Sequence, residues 1–302
     1  MLDLFEVFEP GWHMKVLVVG ASGMIGSAMF RVLSGQSGWT VNGTIRNSSA
    51  IPFFAPSLRG GLIICADLID PNALTRLFIS TRPDVVVNCA GLTKHKSDAD
   101  DPIAAIPPNS MLPHRMADLC SLTSARLIHI STDCVFSGKK GGYAETDHAD
   151  AEDVYGRSKL LGEVAYPHTV TLRTSTIGHE LNSAFGLLNW FLSQDRECRG
   201  YERAVFSGLP TVVFAEIVRD LVIPRPALSG IFHVGADPIN KFELLKLISA
   251  IYEKKIQIIP DQSIVIDRSL DTSLFRSVTG YVPAAWDQLI QAMYTSRRDE
   301  HV

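Results

Sequence analysis

One stretch limits the possible folds of this chain more than any other. Lys15-Val16-Leu17-Val18-Val19 runs straight into Gly20-Ala21-Ser22-Gly23-Met24-Ile25-Gly26. The first part is a short apolar run rich in β-branched residues, which reads as a buried strand ended by glycine. Beyond the turn, Met24, Ile25, Ala28, Met29, Val32 and Leu33 recur at helical spacing. Glycines permit a tight turn, and without a Cβ they let a diphosphate approach the backbone closely. The start of the helix then offers free N–H groups and a partial positive charge to the phosphates. In this strand–turn–helix setting, Gly20, Ser22, Gly23, Met24, Ile25 and Gly26 are predicted to form a dinucleotide site. Outside that setting, three glycines would mean only a packing turn.

The same alternation continues. Further strands are expected at Thr40–Ile45, Leu62–Ala66, Asp84–Cys89, Arg126–Ser131 and Thr169–Arg173. Helices are expected from Pro71, from Met111 to Leu122, and from Asp153 to Ala165. Strands that are apolar on both faces and separated by helices imply an α/β fold, a doubly wound parallel sheet of the Rossmann type. Ligands of such sheets bind beyond the carboxyl ends of the strands. After Arg173 the rhythm changes. Phe185–Leu192, Val212–Ile223 and Phe242–Tyr252 read as helices, with one more strand at Gly230–Val234. The expected organisation is a tail over 1–13 and a Rossmann domain over 14–175, completed by about 211–234. Residues 176–302 would mostly form a smaller, discontinuous C-terminal α/β substrate domain.

Composition removes several function classes. The net charge is −4 with no basic run, so no nucleic-acid surface is expected. No apolar run reaches the ~18 residues of a membrane span. Asp3, Glu6 and Glu9 interrupt the N-terminus, which does not read as a secretory leader. The five cysteines are odd in number and lack metal-ligand spacing, so free thiols in a reducing cytoplasm are expected, with no metal site.

The end of the second strand bears on cofactor choice. Folds that bind NAD usually place an acid about twenty residues past the glycines, for the ribose 2′-hydroxyl. Here the segment is Gly43-Thr44-Ile45-Arg46-Asn47-Ser48, with no acid. The guanidinium of Arg46 suits a 2′-phosphate, so NADP(H) is the expected cofactor.

A second constellation concerns chemistry. Tyr155 and Lys159 stand four apart in Tyr155-Gly156-Arg157-Ser158-Lys159 and share a helix face. An ammonium beside the phenol would favour the phenolate and lower its pKa towards the working range. Lys159 would also hold the nicotinamide ribose. Alone, such a pair is commonly a surface feature. Upstream, however, Ser131-Thr132-Asp133-Cys134-Val135-Phe136-Ser137-Gly138 ends the fifth strand, where the Thr132 hydroxyl would meet a bound carbonyl.

The order of these motifs, with Gly142-Tyr143-Ala144-Glu145-Thr146-Asp147 between them, resembles the extended short-chain dehydrogenases. Within that group the chain looks most like the dTDP-4-dehydrorhamnose reductases, most strongly from Lys15 to Gly178, with a later echo at Arg268–Ser273. The resemblance implies a catalytic triad of Thr132, Tyr155 and Lys159. It implies that Asp67 and Leu68 flank the adenine, that Cys89, Ala90 and Gly91 line the cofactor, and that Thr174 lies near the nicotinamide. Asn109 and Thr176 are the corresponding substrate candidates, His95 in the loop after the fourth strand is a further one, and Arg199, Arg203 and Arg268 are candidates for the substrate diphosphate. The implied reaction is NADPH-dependent reduction of the 4-keto group of a nucleotide-linked 6-deoxy sugar by a cytoplasmic enzyme, expected as a homodimer. Cys134 departs from the family, which usually has Tyr there, and the Lys94–His95 loop also differs. Two alternatives stay open. One is a bifunctional epimerase/reductase of the GDP-fucose synthase type, with Cys134 and His95 as the added acid/base pair. The other is a non-catalytic NADP-binding regulatory subunit, like the methionine adenosyltransferase β subunit.

Overall fold

The computed structural model describes residues 13–94, 100–181 and 185–296. Its first half alternates as the hydrophobic runs require: β1 (Met14–Val19), α1 (Met24–Ser34), β2 (Trp39–Ile45), β3 (Leu62–Ile64), α2 (Pro71–Thr81) and β4 (Val85–Asn88). Then come α3 (Pro102–Ile106), α4 (Leu112–Leu122), β5 (Arg126–Thr132), α5 (Val154–Leu161) and β6 (Thr169–Thr174). The second half holds β7 (Thr176–Ile177), α6 (Leu187–Ser193), β8 (Glu197–Tyr201), β9 (Ala204–Phe206), β10 (Leu209–Pro210), α7 (Thr211–Ile217) and β11 (Gly230–His233). It closes with β12 (Ile239–Asn240), α8 (Lys241–Ile251), β13 (Gln257–Asp261), β14 (Ile266–Asp267), α9 (Ser273–Thr279) and α10 (Trp286–Ser296).

Seven parallel strands form the central sheet in the order β11-β6-β5-β4-β1-β2-β3. This is the doubly wound Rossmann plan. The order reverses between β1 and β4, so their carboxyl ends open the crevice where such sheets take ligands. One face is packed by Met29, Phe30 and Leu33 of α1 with Phe214 and Ala215 of α7. The other carries Leu74, Leu77 and Phe78 of α2 with Leu112, Met116 and Cys120 of α4. A separate core joins α6, α8 and α10 through Leu188, Phe191, Leu244, Ile248 and Ile290. Beside it lies a three-stranded sheet in the order β12-β9-β14. No described helix is long and apolar enough to cross a membrane.

The helices depart from expectation at informative places. Pro71 stands at the first turn of α2, and the Asp70 carboxylate accepts from the N–H groups of Asn72 and Ala73. The helix expected from Met111 begins earlier, because a π turn over Pro107–Met111 joins α3 to α4. Two prolines without N–H donors make that widened turn tolerable. The helix expected over Val212–Ile223 is α7 continued by a second π turn, Val218–Val222. Arg126 terminates it. Its guanidinium donates to the carbonyls of Val222 at 2.7 Å, Ile223 at 3.5 Å and Leu228 at 2.7 Å. α5 stops at Leu161 rather than Ala165, at Gly162. A Cβ on Gly162 would lie 1.9 Å from the Asn109 carbonyl oxygen, so only glycine lets the two segments touch.

Arg126 is buried, and burial lowers its pKa to about 10. Replacing it by alanine leaves buried carbonyls without donors. Arg126→Ala should lower unfolding free energy by about 2–4 kcal/mol. Urea denaturation checks this, and a loss under about 1 kcal/mol would contradict it.

Candidate active site

The glycine turn sits at the switch point. Gly20 has φ +86° and packs against the Ala90 backbone, where a Cβ would approach to 3.0 Å. Its N–H donates to Thr44 Oγ1 at 2.9 Å, and the Ala21 N–H donates to the Thr44 carbonyl at 2.8 Å. A Cβ on Gly26 would lie 2.1 Å from the Gly20 oxygen, so any side chain there pushes α1 off the turn. α1 starts at Gly23 with no side-chain cap and no acid in its first turn. The Gly23 N–H donates to the Gly20 carbonyl at 3.1 Å, and the N–H groups of the first turn that follows, from Met24 and Ile25, are left for an anion. This cradle fits a dinucleotide diphosphate. Arg46 is exposed at the carboxyl end of β2, beside the turn. Asp67 and Leu68 follow β3, and the Asp67 carboxylate accepts from the Ile69 N–H at 2.7 Å.

The loop after β4 forms the next wall. Asn88 holds it, accepting from the Ala90 N–H at 3.0 Å while its amide donates to His129 Nδ1 at 3.0 Å. Burial keeps that histidine neutral. Cys89 lies beside Lys159, and burial pushes its thiol up to about 12. Gly91 packs on Asn109, whose oxygen accepts from the Leu92 N–H at 2.8 Å. The Asn109 amide donates to the Leu92 carbonyl at 3.1 Å and to Ser158 Oγ at 3.0 Å. Asn109 is 0% exposed. The expected sugar contact thus becomes a brace between this loop and α5. His95 lies outside the described residues. Its neighbour Lys94 is ion-paired to Asp153, the N-cap of α5, at 2.9 Å.

Thr132 ends β5 in register with Thr174 of β6. Its hydroxyl accepts from the Cys134 N–H at 3.1 Å, donates to Asp133 Oδ1 at 3.2 Å, and lies near enough to the Tyr155 phenol to favour its ionised form. Tyr155 can come so near because Gly156 follows it. A Cβ at Gly156 would sit 2.2 Å from the Cys134 oxygen. Lys159 is 6% exposed and donates to the Ile130 carbonyl at 2.7 Å. Its ammonium is thus spent on β5, not on the phenol, which corrects the sequence expectation for Tyr155. Burial raises the phenol above its ordinary pKa, and nearby Cys134 and Asp133 raise it further. Burial lowers Lys159 to about 8, against the upward pull of Glu163. Tyr155 is therefore a firmly protonated phenol at neutral pH, while Lys159 is cationic.

Other side chains complete the cleft. Arg268 donates to the Phe136 carbonyl at 2.8 Å and stands near the buried Asp133. Of the three expected diphosphate arginines, it alone is held against the turn that follows β5. Arg199 is exposed and paired with Asp261 at 3.0 Å, and Arg203 is exposed beside β9. Lys241, at the first turn of α8, was not anticipated. Its ammonium lies 3.9 Å from the Phe206 ring centroid and close to Asp133 and Cys134. Burial lowers it to about 8. Thr174 is buried and Thr176 half-buried on β7. No group of ligand side chains able to hold a metal occurs among the described residues.

With this geometry in view, relatives are informative. The pattern of the RmlD substrate binding domain matches residues 14–297. A dTDP-4-dehydrorhamnose reductase of Mycobacterium tuberculosis is 38% identical over 120 residues, 37% of this chain and 39% of that protein. One from Burkholderia thailandensis is 34% identical over 169 residues, 54% of this chain and 50% of its own. The chain thus spans about half or less of the length of these relatives. The methionine adenosyltransferase 2 subunit beta of Danio rerio is 33% identical over 162 residues, 53% of this chain and 45% of that protein. Among solved structures, a hypothetical dTDP-4-dehydrorhamnose reductase from Sulfolobus tokodaii has a TM-score of 0.75 at 26% identity, covering 91% of this chain and 98% of that one. The dTDP-4-dehydrorhamnose reductase of Bacillus anthracis, solved with NADP, shares the fold with a TM-score of 0.76 at 18% identity, covering 94% and 99%. A match that runs through the glycine turn, the β5 end, α5 and the second half of the chain assigns this protein to the RmlD substrate-binding family.

Proposed function

We propose that this protein is an NADPH-dependent reductase of a nucleotide-linked 4-keto-6-deoxy sugar. The carrying observation is the juxtaposition of Thr132 and Tyr155 at the carboxyl end of β5, close to the switch point and its uncapped glycine turn. The named reductase relatives support the substrate class. Bound NADPH supplies the hydride. Gly20, Gly23 and Gly26 receive its diphosphate, Arg46 the 2′-phosphate, and Lys159 the nicotinamide ribose. Thr132 turns its hydroxyl from Asp133 to the substrate carbonyl oxygen and orients it. Tyr155 then gives its proton to the oxygen as negative charge develops. A phenol that stays protonated at neutral pH suits that role, because the alkoxide is far more basic than a phenolate.

Two further readings are weaker. Coupled epimerisation draws on the half-exposed Cys134, whose thiol burial raises to about 12 and which has Lys241 beside it. Simple reduction predicts no deuterium wash-in at C3 or C5 from heavy water. A regulatory subunit would need none of Thr132, Tyr155 and Lys159, yet all are present.

Three outcomes follow from the reductase reading. Tyr155→Phe should bind NADPH normally and lose about 10²-fold or more in kcat, the usual size of a general-acid contribution. Near-normal turnover would remove Tyr155 from the mechanism. Arg46→Ala should raise KM for NADPH roughly ten- to hundredfold, the weight of one charge-assisted contact, and leave NADH unchanged. Equal effects on both cofactors would refute the 2′-phosphate assignment. Lys159 has a folded pKa near 8, so its ammonium is present below that value and lost above it. NADPH affinity should hold steady at lower pH and weaken as pH rises through about 8. An affinity independent of pH from 7 to 9.5 would contradict the ribose contact.

A further inference from the structure

One register row below Thr132, three neighbouring strands align polar side chains that are buried. Ser131 of β5 is opposite Arg173 of β6, and Arg173 is opposite His233 of β11. Glu163, just past the end of α5, closes the row. Its Oε1 accepts from Ser131 Oγ at 2.7 Å and from Arg173 Nε at 2.8 Å, and its Oε2 from Arg173 Nη2 at 2.7 Å. The Arg173 and Glu163 side chains are 5% and 3% exposed. Arg173 Nη1 also donates to His233 Nε2 at 3.2 Å, and His233 Nδ1 donates to the Tyr143 carbonyl at 2.9 Å. Burial and Arg173 lower His233 to about 4, so it is neutral and an acceptor. The Glu145 carboxylate accepts from the His233 N–H at 2.8 Å, which gives the Tyr143–Glu145 motif its place in the row.

Burying an ion pair is costly and does not by itself stabilise a fold. A bidentate pair in this position calls for a reason beyond stability. Two grips on β5 offer one. Lys159 holds the Ile130 carbonyl and Glu163 holds the Ser131 hydroxyl, on the two residues that precede Thr132. Both grips come from one segment, four residues apart.

We propose that Glu163 is a positioning residue. It fixes the height of the Thr132 strand end through Ser131 and is the counter-charge for the Lys159 ammonium. The proposal rests on the reductase reading for the role of Lys159 alone. The groups facing Lys159 are Glu163, the Cys89 thiol after β4, neutral His129 on β5 and Tyr155 one turn back on α5. Of these, Glu163 is the one carboxylate, and it favours the charged amine. Removing its charge takes away the larger of the two influences that oppose burial, Cys89 being the smaller, so Lys159 loses its proton at lower pH.

The test is NADPH binding by fluorescence from pH 6 to 10, for the wild type and Glu163→Gln. The amide keeps the volume and the Ser131 hydrogen bond. The wild type should lose affinity above about pH 8. In Glu163→Gln that break should fall by about one pH unit or more, with the affinity at pH 6 within about threefold of wild type. A variant that melts earlier but keeps the wild-type break would show a merely structural residue and overturn the proposal. Where Glu163→Gln does not fold, Arg173→Lys serves instead. It keeps a cation but loses the fork, leaves the carboxylate less neutralised, and should move the break upward; an unmoved break overturns the proposal again. Tight NADPH binding with an unmoved break sinks this inference alone, whereas a wild type that binds no NADPH sinks the reductase reading and this inference together.

Discussion

The register of β5 between β4 and β6 is the constraint on which the candidate site depends. β5 is buried at all seven of its positions, so every side chain it presents must be apolar or fully satisfied. A slip of one residue would turn Thr132 to the opposite face and bury it away from Tyr155. The slip is blocked on both sides. His129 is held by Asn88 of β4, and Ser131 is held by Glu163. Parallel ladders carry no such specificity of their own, since their backbone bonds repeat evenly. The polar side chains supply the register and the apolar ones supply the burial.

The same contacts explain the electrostatics. A phenol four residues before a lysine suggests a lowered phenol pKa, and the fold reverses that suggestion. The Lys159 ammonium is turned to the Ile130 carbonyl, and the cleft removes water from the phenol. Desolvation disfavours whichever form is charged. It therefore holds Tyr155 as the neutral acid and pulls Lys159 down towards neutrality. Glu163 opposes only the second effect. The pair consequently diverges in character, a firmly protonated phenol beside a cation near its titration point. Groups whose surroundings drive their pKa values apart take different roles in one reaction.

Much of this was legible in the residues. The apolar runs marked the central strands because a parallel sheet buries both faces of each. The glycine turn declared itself, since no other residue allows Gly26 to rest on the Gly20 carbonyl. The short strands β8, β9 and β12 to β14 were not legible. They are two to five residues long and lie partly at the surface, so they carry little hydrophobic period. Asn109 was read as a ligand contact on the family resemblance alone. The π turn instead carries the helix through and points the amide inward. The row of Ser131, Arg173 and His233 was hidden for a different reason. An arginine in a strand is ordinarily taken as exposed, and its partner Glu163 lies beyond the end of a helix expected to continue. Lys241 likewise gave no sign, because nothing in sequence brings the start of α8 to Cys134.

These hidden residues share one property: each pairs a charge from one part of the chain with a group far from it in sequence. Hydrophobic pattern is local and repeats, whereas compensation of a buried charge is singular and depends on the completed fold. Lys241 joins the β12-β9-β14 side of the molecule to Asp133, as Arg268 does from the end of β14. Asp133, with its pKa raised by burial, is held between cations delivered by the smaller sheet. The turn carrying Cys134 is thereby fixed from both sides, by α5 through Gly156 and by the smaller sheet through these cations. Cys134 is half-exposed between these two supports. A rigid wall discriminates by shape, since it cannot relax to fit the wrong ligand. On the proposed reductase reading, the identity of residue 134 bears on which sugar is accepted, while Thr132 and Tyr155 bear on what is done to it.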